Sequence, residues 1–161
     1  MIPTCPKPCR QSDAAYIRYD ETISNNDIQF GRIARTNSRS PTSGSTTING
    51  TFLMTGETSS HLGGQELNKI GQRTGWTYGP ITRTCVEYNI ENETRMYVCQ
   101  YDVDAGANEG DSGSPVFSWS GSGSNVTLYG VLWGRNNMSL DFIYSPIGSV
   151  NYELSTDPIN P

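Results

Sequence analysis

Nine short apolar stretches, each closed off by Gly, Pro, Asn or Ser, constrain this chain more than any other feature. They are "AAYIRY" (14–19), "IQFGRIA" (28–34), "GTFLMTG" (50–56), "ELNKIG" (66–71), "GPITRTCVEY" (79–88), "RMYVCQYDV" (95–103), "SPVFSW" (114–119), "NVTLYGVLWG" (125–134) and "DFIYSP" (141–146). Several alternate polar and apolar residues with period two. Through "ITRTCVEY" the residues from Ile81 to Val86 are expected to point to opposite faces in turn, as strand residues do. Regular runs separated by turn residues predict an all-β chain, an antiparallel barrel or sandwich. Helical periodicity is confined to "PIGSVNYEL". There Pro146 suits a first helical turn, and Ile147, Val150 and Leu154 fall on one face. The segment 37–50, "NSRSPTSGSTTING", is the most linker-like, and "SWSGSGSN" (118–125) reads as a hairpin tip.

Composition narrows the function. At 161 residues the chain fits one domain, or the larger part of a two-lobed one. Only 17% of residues are charged, and nine tyrosines and three tryptophans supply bulk for a core short of leucine. The formal net charge is −5 and the only lysines are Lys7 and Lys69. With no basic patch to follow a phosphate backbone, nucleic acid is not expected as a partner. No apolar run reaches membrane-spanning length, so no membrane partner is expected, and "MIPTCPKPC" lacks the apolar core of a signal peptide.

The spacings of Cys5, Cys9, Cys85 and Cys99 lack the paired Cys-x2-Cys signature of zinc. No metal and no cofactor are implied. Cys85 and Cys99 lie on strands expected to be neighbours; a bridge there closes a loop of about 15 residues, worth about 3 kcal/mol in the chain-entropy model. Cys5 and Cys9 flank a Pro-Lys-Pro turn and can bridge each other, or one can pair upstream of Met1. The even cysteine count, with sequons at Asn49, Asn92, Asn125 and Asn137, points to an oxidising, extracellular setting and a glycoprotein.

"NEGDSGSPVF", residues 108–117, carries the chemistry. A serine between glycines, just before an apolar run, can be turned outward with backbone N–H groups beside it, as a nucleophile and its oxyanion hole require. A polar hairpin loop is the competing reading of the same residues.

The stretch "GDSGSPVF" resembles the nucleophile motif of chymotrypsin-like serine peptidases, and other segments resemble that family in the same order. "CRQSDAAYIRY" (9–19) is similar to the segment bearing the catalytic aspartate. "NKIGQRTGWTYGPITRTC" (68–85) is similar to the start of the second barrel in secreted microbial members. "GVLWGR" (130–135) resembles the substrate-pairing strand, and "FIYSPIGSV" (142–150) the last strand and helix. The resemblance implies the family's antiparallel Greek-key β-barrel, the second of its double barrel, with the end of the first and a short C-terminal helix. Residues 1–36 would be a remnant of the first barrel, 37–50 a loop or inter-barrel connection, and 51–161 the second barrel.

The resemblance also implies roles. Ser112 is the expected nucleophile, and the N–H groups of Gly110 and Ser112 the oxyanion hole. Asp13 is the expected buried carboxylate that orients the base. Asp111 is expected in a buried ion pair whose partner the sequence does not identify. Leu132, Trp133, Gly134, Gly106, Ala107 and Glu109 are the expected substrate-binding residues. Leu132 departs from the family, which usually places there a serine that hydrogen-bonds the aspartate. Gly106 and Ala107 imply an uncharged pocket suited to apolar or aromatic side chains, while Glu109 disfavours acidic ones.

The family's histidine lies upstream of its aspartate. Here the single histidine, His61, follows Asp13 in a glycine-rich loop and is read as a loop residue. The expectation is a chain lacking the histidine-bearing part of the first barrel, with weak or no activity alone. The partners would be polypeptide substrates and a missing N-terminal barrel segment. The alternatives are a non-catalytic homologue acting as a binding module, and a β-sandwich binding carbohydrate through Trp76, Trp119 or Trp133.

Overall fold

In a computed structural model, residues 5–15 and 29–155 are described. Ten strands and one helix follow in order: β1 (Cys9–Arg10), β2 (Arg32–Thr36), β3 (Arg39–Ser40), β4 (Ile48–Glu57), β5 (Glu66–Gly71), β6 (Gly75–Asn89), β7 (Met96–Val103), β8 (Pro115–Trp119), β9 (Asn125–Arg135), β10 (Phe142–Pro146) and α1 (Ile147–Leu154). The all-β class expected from the apolar pattern is what forms.

Six strands close a ring. β5 pairs β6, β6 pairs β7, β7 pairs β10, β10 pairs β9, β9 pairs β8, and β8 returns to β5, every pair antiparallel. Closure leaves these strands little free edge. Each strand sends residues inward. Leu67, Ile81, Val103, Val116, Leu132, Phe142 and Tyr144 form one buried cluster, all at most 2% exposed. The β2–β4 hairpin lies beside the ring, with β4 parallel to β9. It buries Ile33 and Phe52 against Trp76, Phe117 and Val126. Phe52 meets Trp76 edge-on at 5.1 Å, a geometry that adds to the roughly 2–3 kcal/mol of burying such a ring.

Several local expectations shift. In the run 28–34, whose first residue lies outside the described residues, Gly31 takes φ +65° in a turn and β2 starts at Arg32. The run 14–19 falls largely outside the described residues. Alternation over Ile81–Val86 is broken by register shifts at Arg83 and Val86. Bulges of this kind bend a strand, here where β6 leaves the ring and continues as an arm, mostly exposed on β6 but buried or half-buried on its partner β7. Cys85–Cys99 bridges that arm, and Cys5–Cys9 bridges the N-terminal turn. Pro146 is the last residue of β10, with extended dihedrals, and caps α1 rather than entering it. Ile147 and Val150 of the helix are buried against Leu128 of β9. In the segment 37–50, Arg39–Ser40 pairs with Trp76–Thr77 and Ile48 opens β4.

Candidate active site

The loop between β7 and β8 is built around one buried carboxylate. Asp111 is fully buried. It accepts hydrogen bonds from the N–H groups of Arg73 (2.7 Å), Thr74 (3.2 Å) and Asn108 (3.0 Å) and from the Thr74 hydroxyl (2.7 Å). The Lys69 ammonium, also with no exposed surface, completes the set at 3.0 Å. Burial alone would raise the Asp111 pKa. The bonds from Thr74, Lys69 and the Asn108 and Arg73 amides outweigh it and hold the value at about 2. Burial lowers the pKa of Lys69, against the opposing pull of Asp111. Lys69 is thus the ion-pair partner that the sequence did not identify. The one signal was its place inside the apolar run "ELNKIG", in a chain with almost no lysine.

Drawing the Asp111 side chain inward turns its neighbour out. Gly110 has φ +95° and Gly113 φ +89°, angles that side-chain-bearing residues avoid. Between them Ser112 is exposed, and its hydroxyl donates to the Trp133 carbonyl at 3.1 Å. The amides of this loop can be followed one by one. Asn108 N–H goes to the Asp111 carboxylate, Glu109 to the Asn108 side chain, Asp111 to the Asn108 carbonyl, Gly113 to the Leu132 carbonyl and Ser114 to the Asp111 carbonyl. Among the described residues no acceptor takes the N–H of Gly110 or of Ser112.

Beside Ser112 opens a pocket of about 370 Å³, lined by Ala107, Asn108, Glu109, Ser112, Leu132, Gly134, Arg135 and Asn137. Of the expected substrate-binding residues it includes Ala107, Glu109, Leu132 and Gly134. Ala107 and Leu132 are its buried walls. Gly106 faces the other way: a Cβ there would lie 1.8 Å from the Thr42 carbonyl oxygen. Arg135, which sequence reasoning did not single out, is an exposed lining residue whose guanidinium donates to the Ala107 carbonyl at 3.3 Å. The lining therefore carries one cation and one anion, Arg135 and Glu109, beside the uncharged Ala107.

Asp13 and His61 differ in how they relate to this loop. Asp13 N–H donates to the Ser145 hydroxyl at 2.9 Å. Ser145 pairs with Val131, two residues before Trp133 on β9. Asp13 and Ser112 thus both adjoin the stretch 131–133. Asp13 is nevertheless exposed, not buried as the resemblance implies; Ser12 is the buried residue of that segment. Leu132 offers no hydroxyl to draw the carboxylate inward. His61 is engaged with tyrosines. Its Nδ1 lies 2.8 Å from the Tyr144 hydroxyl, and its ring packs 4.4 Å from Tyr101 and 5.3 Å from Tyr129. Burial lowers its pKa to about 4. All three tryptophans are packed: Trp76 and Trp119 in the second cluster, Trp133 stacked on Tyr97 at 4.9 Å.

The fold built on this six-strand ring has counterparts among solved structures. A glutamic-acid-specific serine protease, described as using a novel histidine triad in substrate binding, matches with a TM-score of 0.62 over 86% of this chain and 63% of its own. Thermobifida fusca protease A matches at 0.62 over 83% and 62%, and Nocardiopsis protease at 0.57 over 78% and 58%. The fold is that of the chymotrypsin-like serine proteases. Sequence identities of 18%, 21% and 18% accompany that shared fold, and the chain spans less than two thirds of the length of each of these proteases. No protein-family model and no curated protein sequence matches the chain.

Proposed function

We propose that this chain is the nucleophile-bearing part of a serine-type endopeptidase. The observation that carries the reading is a pair of amides, Gly110 and Ser112, that have no acceptor among the described residues and flank an exposed hydroxyl in a stretch, 108–114, whose other N–H groups are bonded. Donors fixed in advance around a developing oxyanion are the largest single contribution in acyl transfer. Ser112 Oγ would attack a peptide carbonyl, losing its proton to a base while the carbonyl electrons move to the oxygen between the two amides. Collapse would break the C–N bond, the amine leaving with a proton, and water would then hydrolyse the Ser112 ester. The substrate chain would run along Trp133–Arg135, with an apolar or aromatic side chain between Ala107 and Leu132.

In this reading Asp13 orients the base, and the base comes from a histidine-bearing first-barrel segment, since His61 is bonded to Tyr144. Residues 1–36 belong to that first barrel, 37–50 connect the two, and 51–161 form the second. The setting is extracellular, as two disulfides suit. The engagement of the sole histidine also favours a second reading, a non-catalytic homologue that binds peptides in the same groove.

Fluorophosphonate labelling separates the two. The peptidase reading expects slow labelling of Ser112, acceleration by imidazole added as a surrogate base, and none in Ser112→Ala. A protein unlabelled with or without imidazole is the binding module.

A further inference from the structure

Gln100, on β7, lies between the Asp13 segment and the strand that faces Ser112. It is fully buried. A side-chain amide offers two donors and two acceptor positions, and here all four are used. Nε2 donates to the Gln11 carbonyl at 2.9 Å and the Val98 carbonyl at 2.8 Å. Oε1 accepts from the Trp133 indole at 2.8 Å and from the Ser145 hydroxyl at 2.8 Å. Two carbonyls on one side and two donors on the other admit a single orientation of the amide. Each arm then reaches the site. Ser145 holds the Asp13 N–H at 2.9 Å, and the Trp133 carbonyl takes the Ser112 hydroxyl at 3.1 Å.

We propose that Gln100 is a positioning residue: it fixes the Asp13 segment and the Trp133 strand in one register around Ser112. The proposal rests on Ser112 being the nucleophile. It also answers the departure at position 132. Leu132 faces the core at 2% exposure, so support for the aspartate segment passes through Ser145 and Gln100 instead. Among the described residues, Gln100 is the side chain bonded to both Ser145 and Trp133. Glutamate loses the donors to Gln11 and Val98, and methionine loses every bond. Both leave buried polar partners without a mate.

The test cuts one arm and reads the other. Gln100→Met threatens folding, so Ser145→Ala, which removes one hydroxyl and touches neither Trp133 nor Ser112, is the informative variant. Ser145→Thr keeps the hydroxyl and is the control. In the full chain, the expected result for Ser145→Ala is a shifted Trp133 indole N–H resonance with exchange faster by about threefold or more. Fluorophosphonate labelling of Ser112, in imidazole, should slow by roughly tenfold. Ser145→Thr should restore both. If the indole resonance and the labelling rate of Ser145→Ala match the wild type, the proposal is overturned. It is equally overturned if the indole responds while labelling does not, which leaves the network structural. A wild-type protein that is never labelled removes the peptidase reading itself, and the positioning role with it.

Discussion

The Lys69 ammonium and the Asp111 carboxylate, 42 residues apart in sequence, meet at 3.0 Å with neither side chain exposed to solvent. The loop that presents Ser112 is held from inside by this contact. β5 supplies the lysine and the β5–β6 turn supplies Thr74 and the Arg73 amide.

Lys69→Met is therefore expected to leave a buried, unpaired carboxylate. Loss of one partner of such a pair typically costs about 3–5 kcal/mol. Urea denaturation should show a lower midpoint, and Ser112 labelling should fall because the two amides lose their fixed aim. Near-wild-type stability and labelling in this variant would show that the other four bonds to Asp111 hold the loop without Lys69.

Acid should loosen the same loop in a defined window. Asp111 titrates at about 2 in the folded chain against an ordinary value of 3.8. A depressed carboxylate pKa contributes stability above the unfolded value, and that contribution is lost as pH falls from about 4 through 2. The amount is on the order of 2 kcal/mol. Asp111→Asn should flatten this part of a pH–stability curve.

His61 acts at higher pH. Its folded value of about 4 lies below the ordinary 6.5 because its ring is buried among Tyr101, Tyr129 and Tyr144. The unfolded chain then binds more protons between these values, so stability falls as pH drops from 6.5 toward 4. Allowing for its partial exposure, the loss is on the order of 2 kcal/mol. His61→Phe should remove the slope in this interval and leave the one near pH 3 in place.

Phe52 joins the β2–β4 hairpin to the ring. It is fully buried and touches Trp76, Phe117 and Trp119. Phe52→Ala should cost about 3–5 kcal/mol through lost burial and a residual cavity. Thermal unfolding followed by tryptophan fluorescence reads it directly, since two of its neighbours are tryptophans.

The Cys85–Cys99 bridge lies on the arm of β6 and β7 outside the ring. Replacing both cysteines with serine should lower stability by about 3 kcal/mol. Hydrogen exchange should rise in residues 82–100 first and least in β5 and β8.

The succession of strands, the exposed hairpin tip, the C-terminal helix and the turn that exposes Ser112 were legible from residue type and spacing. These features are set by forces that act over a few residues: alternation of apolar side chains, the φ angles open to glycine, the rigid ring of proline. The bulges in β6, the packing of Gly106 against the Thr42 backbone, the pairing of Lys69 with Asp111, the exposure of Asp13 and the four bonds of Gln100 were not. Each depends on which distant strands become neighbours when the ring closes. A lysine and an aspartate 42 positions apart share no local pattern, yet once buried together neither charge is tolerable without the other. The sequence by itself therefore determined the strands and the turn that exposes Ser112, and the tertiary structure decided which partners hold that turn in place.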